Sequence, residues 1–123
     1  MPKLLTILLC EEDEGTARML SNICRIKAPG CIVLSAPDGT NAMMAISRND
    51  LLDLIVFGTI ESGPGMITAI RRAAEKFNGI VISASHNKPA VRIEQVEAGC
   101  TEEVGPKALI GALPHWIENA LNA

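Results

Sequence analysis

The sequence predicts a doubly wound α/β fold, a five-stranded parallel sheet covered by helices on both faces. Short apolar runs rich in β-branched residues alternate with stretches of helical period, which is the pattern such a sheet produces. The run from Leu4 to Cys10 is continuous rather than alternating, interrupted only by Thr6, as a strand buried on both sides requires. A length of 123 residues lets roughly two-thirds of the unfolded surface be buried, so the core needs no disulfide or metal staple. No repeat, linker or low-complexity tract interrupts the chain, and residues 1–123 are expected to form one domain.

The elements follow in order. Residues 4–10 are the first strand. Asp13 caps a helix with Ala17, Leu20, Ile23 and Cys24 on one face, and Pro29-Gly30 ends it. Residues 31–35 are the second strand, and Pro37-Asp38-Gly39 turns the chain into a helix bearing Ala42, Met43, Ala45 and Ile46. Met43 and Met44, at helical spacing beside alanines, read as core filler rather than a soft-metal site. The third strand, residues 54–57, stops at Gly58, and residues 59–65 form a loop rich in Gly and Pro. A helix over residues 66–77 turns Arg71, Arg72, Glu75 and Lys76 outward, and a fourth strand over residues 80–82 ends at Ser83.

Residues 90–98 are expected to be helical, with Pro89 in the first turn and Gly99 just beyond the end. The short polar segment 102–104 suits an edge strand. The last helix starts at Lys107 or Ala108, runs to Leu121, and buries Leu109, Ile110, Leu113, Ile117 and Leu121. Pro114 inside it costs about 3 kcal/mol or more in a regular helix, so a kink or break is expected near Leu113.

Composition excludes several classes of function. A formal charge of -3 lacks the positive field that gathers phosphate backbones or anionic lipid, so neither nucleic acid nor membrane is an expected partner. Phe57, Phe77 and Trp116 are the only aromatics, too few for a stacking platform. Cys10, Cys24, Cys31 and Cys100 match neither a zinc-ligand spacing nor a disulfide framework, and read as reduced core residues of a cytoplasmic protein. The first apolar run is too short to span a membrane and has no signal cleavage pattern, so no export is expected.

In a doubly wound sheet, ligands gather at the carboxyl ends of the strands, which directs attention to residues 11–14, 58–65, 83–88 and 105–107. Here the chain resembles the receiver domain of bacterial two-component response regulators over nearly its whole length. Ile7-Leu8-Leu9-Cys10-Glu11-Glu12-Asp13 is similar to the strand and acidic pair that open that family, and Ala36-Pro37-Asp38-Gly39-Thr40-Asn41-Ala42 to its Ala-x-x-Gly-x-x-Ala turn. Asp53-Leu54-Ile55-Val56-Phe57 is similar to the strand leading to the phosphoacceptor, Ile82-Ser83-Ala84 to the strand end with its hydroxyl switch, and Ala98-Gly99-Cys100 to the Ala-Gly-Ala before the fifth strand. The resemblance implies a flavodoxin-like three-layer sandwich with strand order 2-1-3-4-5.

It also implies a site. In the family, two acids and the phosphoacceptor aspartate hold Mg2+, the aspartate takes a phosphoryl group from a kinase phosphohistidine, and a lysine and a hydroxyl hold the phosphoryl oxygens. This chain departs from that pattern, since Gly58 stands at the phosphoacceptor position and supplies neither nucleophile nor metal oxygen. The acidic pair becomes Glu11 and Glu12, so Mg2+ binding is expected to be weak or absent. Ser83 keeps the hydroxyl, although capping the loop is its plainer role. The family's Lys-Pro is inverted to Pro106-Lys107, which turns Lys107 to the other face unless a bulge restores the register. Glu103 falls where the family's switching aromatic would stand, and a charge does not take a buried position cheaply.

The expectation is a pseudo-receiver, a non-enzymatic signalling module that acts by protein contact. Its partner would be a histidine kinase or a downstream signalling protein, and a homodimer is compatible with the sequence. The family's contact surface corresponds to residues 89–98, 102–104 and 107–121, where Arg92, Glu94, Glu103 and Trp116 are candidates; the spacing of Trp116 from Leu113 and Ile117 leans towards core. Glu11 to Glu14 have a plainer reading as a solvated acidic turn at a helix start. His86 and His115 have no acidic partner at a suggestive spacing and read as surface residues. The rival reading, a phosphotransfer enzyme using Cys10 after the first strand, is opposed by the four acids that follow, which raise a thiol pKa and repel phosphate.

Overall fold

A computed structural model describes residues 4–58, 64–76, 80–84, 97, 102–104 and 109–122. Its elements are β1 (Thr6–Cys10), α1 (Glu14–Lys27), β2 (Ile32–Ala36), α2 (Gly39–Arg48), β3 (Leu54–Phe57), α3 (Pro64–Lys76), β4 (Ile80–Ala84), β5 (Glu102–Val104) and α4 (Leu109–Leu121). The strands form a parallel sheet in the order β2-β1-β3-β4-β5. β1 lies between β2 and β3, with Cys10 in register with Ala36 on one side and Phe57 on the other. Four of the five β1 residues are buried, in agreement with the continuous apolar run that marked it as central.

The pleat divides the core into two layers. Leu8, Cys10, Ile55 and Phe57 pack with Ala42 and Ile46 of α2 and Ala69, Ile70 and Ala73 of α3. Ile7, Leu9, Leu54 and Val56 pack with Leu20 and Cys24 of α1 and Leu109, Leu113, Trp116 and Ile117 of α4. Alternate residues of one strand serve opposite faces because successive side chains point to opposite sides of a sheet.

Helix entry and exit follow local chemistry. Asp13 caps α1 by accepting from the Thr16 N–H at 2.8 Å, and Asp38 caps α2 by accepting from the Asn41 N–H at 2.7 Å. Beyond α1, Gly30 holds φ at +83°, a left-handed conformation that glycine adopts without a Cβ penalty. At the other end of α2, the Lys76 ammonium of α3 donates to the Ile46 and Asn49 carbonyls, both at 2.8 Å.

Several expectations need correction. β2 begins and ends one residue later than the apolar run indicated. Met43 packs against the core, but Met44 is exposed and fills nothing. α4 runs unbroken through Pro114. The carbonyl deprived of its partner belongs to Ile110, which is exposed rather than buried as expected, so water can reach that turn. Trp116 is only 2% exposed and belongs to the α1/α4 layer, so it is core and offers no anchor to a partner. The expected helix over 90–98 lies outside the described residues except for Glu97, which is helical and exposed.

Candidate functional site

The register of β1 and β3 builds the site. Cys10 pairs with Phe57, so the residues that follow, Glu11 and Gly58, stand side by side at the carboxyl edge of the sheet. Two backbone hydrogen bonds fix this edge: the Gly58 N–H donates to the Cys10 carbonyl at 2.7 Å, and the Glu11 N–H to the Ala36 carbonyl at 3.0 Å.

Glu11 is a buried acid, 3% exposed. One carboxylate oxygen, Oε2, accepts from the Asp13 N–H at 3.0 Å. The other, Oε1, lies 2.6 Å from the point where a Cβ on residue 58 would stand, and the Cys10 carbonyl lies 3.2 Å from that point. The acid therefore bends back over the glycine. Sequence reasoning placed Glu11 and Gly58 in one site, directly after two adjacent strands, but did not show that the acid covers the glycine.

Asp13 is committed elsewhere. Its carboxylate accepts from the Thr16 hydroxyl at 2.6 Å as well as from the Thr16 N–H, and these bonds, the hydroxyl first, lower its pKa. Glu12 and Glu14 are exposed and join Glu11 in lining a groove of about 540 Å³ between the start of α1 and the end of β2, where Arg18 stands on the same wall. Arg18 lies 3.9 Å from Glu14, both heavily exposed, a pair worth little in water.

Ser83 on β4 is in register with Phe57 on β3 and with Glu103 on β5, so two of the sequence candidates stand on adjacent strands. Both lie one residue short of the row that Glu11 and Gly58 occupy. Lys107, Arg92, Glu94, His86 and Cys100 lie outside the described residues. His115 is exposed on α4, with Asn119 at 3.4 Å. The Cys10 side chain is fully buried, and burial pushes its thiol pKa upward.

Residue 58 offers a cation no side-chain oxygen, and the Glu11 carboxylate accepts from the Asp13 N–H and lies over Gly58. Among the described residues no group of three or more His, Cys, Asp or Glu could hold a metal ion.

Comparison with solved structures places the fold. The chain superposes on the receiver domain of a DNA-binding response regulator from Colwellia psychrerythraea with a TM-score of 0.80 at 18% identity, covering 97% of this chain and 99% of that one. A receiver domain from Clostridium thermocellum gives 0.78 at 19%, with 97% and 95% covered. A response regulator from Thermotoga maritima gives 0.74 at 20%, with 98% and 100% covered. The chain thus has the flavodoxin-like fold of response regulator receiver domains. No protein-family model matches it, and no curated protein matches it in sequence. Among the described residues no helix is long and apolar enough to cross a membrane.

Proposed function

We propose that this chain is a receiver-like module of two-component signalling that takes no phosphoryl group and acts through contact with a protein partner. The observation that carries the reading is Gly58 at the end of β3, covered by the Glu11 carboxylate. An acyl phosphate needs a carboxylate on that residue, and the anion beside it opposes the approach of a phosphoryl donor. The three acids lining the adjacent groove act in the same direction. Mg2+ binding is weak or absent in this reading, and the module is non-enzymatic and cytoplasmic. Its partner is a histidine kinase or a downstream signalling protein. The family's contact surface, including Arg92, Glu94 and Glu103, is where that partner would dock, and Ser83 and Lys107 are remnants of the phosphoryl-binding set.

The rival reading, Cys10 as a nucleophile, has less support: a fully buried thiol with a raised pKa holds little thiolate and admits no phosphodonor. Incubation with acetyl phosphate and Mg2+ followed by intact mass measurement tests the proposal. The mass is expected to stay unchanged, and a labile gain of one phosphoryl group would overturn it.

A further inference from the structure

The contact between Glu11 and Gly58 carries a consequence for the construction of the site. Oε1 sits 2.6 Å from the Cβ position on residue 58, and the Glu11 Cδ carbon sits 3.2 Å from it. Real Cβ atoms do not approach heavy atoms to 2.6 Å. The end of an exposed glutamate would swing aside at small cost, but this one is 3% exposed and tied through Oε2 to the Asp13 N–H at 3.0 Å. To yield, it would have to give up that bond and leave its buried position for the neighbouring groove. The backbone beneath is equally fixed, because the Gly58 N–H is held by the Cys10 carbonyl at 2.7 Å.

We infer that Glu11 is a built-in plug: its side chain, anchored at the end of β1, fills the volume that a side chain at the end of β3 would need, and so locks the site shut. Gly58 is then more than the loss of a nucleophile. It is the only residue type that leaves room for this conformation of Glu11, so the size tolerated at position 58 depends on the length of residue 11. The inference concerns the same site as the proposed function but rests on packing alone, so it stands or falls without any phosphodonor.

A double-mutant cycle tests it. Gly58→Ala, Glu11→Ala and the double variant are compared by thermal unfolding, with Glu11→Asp as a second shortened background. Gly58→Ala alone is expected to lower Tm by roughly 4–10 °C, the scale of overpacking a filled site. In either shortened background the same substitution should cost less than half as much, the remainder reflecting the Cys10 carbonyl at 3.2 Å. Equal losses in the long and short backgrounds would overturn the inference. Should Gly58→Ala fail to fold alone, rescue of folding by shortening Glu11 supports the plug, and failure to rescue overturns it.

Discussion

Cys10 ends β1 with its thiol inside the layer shared with α2 and α3. A thiolate is the reactive form, and burial raises the pKa that governs it. On α1, burial first and the neighbouring Cys31 second push the Cys24 thiol up to about 12. Native protein treated with iodoacetamide near pH 8 is therefore expected to leave Cys10 and Cys24 unmodified, with Cys31, only partly buried, alkylated ahead of both. Peptide mapping by mass spectrometry checks this, and alkylation of Cys10 at the rate of a free thiol would contradict it. At this scale the sequence was readable wherever chemistry is local, as in the Asp13 cap, and unreadable wherever two distant residues share one space. Nothing in Glu11 or in Gly58 alone shows that the first lies over the second.

At the scale of elements, the contact between α2 and α3 holds a feature that sequence reasoning assigned to a solvated face. Lys76 crosses to the end of α2 and donates to the carbonyls of Ile46 and Asn49 at 2.8 Å and of Ser47 at 3.4 Å, groups that the helix leaves without intrahelical partners. Its ion pair with Asp50 at 3.5 Å contributes little beside this, since Asp50 is almost wholly exposed. Lys76→Met, which keeps the aliphatic stem, is expected to cost about 1–2 kcal/mol in urea denaturation. Asp50→Ala should stay within about 0.5 kcal/mol, and equal effects would show that the ion pair rather than the cap matters. Period and turn chemistry revealed that α2 and α3 exist, but not that α3 caps α2, because the cap joins residues some thirty positions apart.

For the whole molecule, the sheet joins two layers through strands whose alternate residues belong to each. Removing either layer would expose the other face of β1 and β3, so the two are expected to unfold together. Trp116, the single tryptophan, reports on the α1/α4 layer, while far-UV circular dichroism reports on all the helices. Their urea midpoints should coincide, and separate midpoints would show that the layers melt independently. The fold class was legible because a parallel sheet buried on both sides imposes a coarse alternation that survives without exact boundaries. Some apolar side chains stay outside both layers: Leu4, Ile26, Ile32 and Leu51 are exposed, three of them at or just before the amino ends of β1, β2 and β3.

The carboxylate above Gly58 also gives direction to the route by which such a chain can change. Shortening residue 11 first opens space and leaves a tolerable intermediate, after which residue 58 is free to acquire a side chain. Enlarging residue 58 first meets Glu11 at 2.6 Å and produces a crowded one. Of the two orders of substitution the first is the less costly, and a single change at position 58 starts from the crowded side.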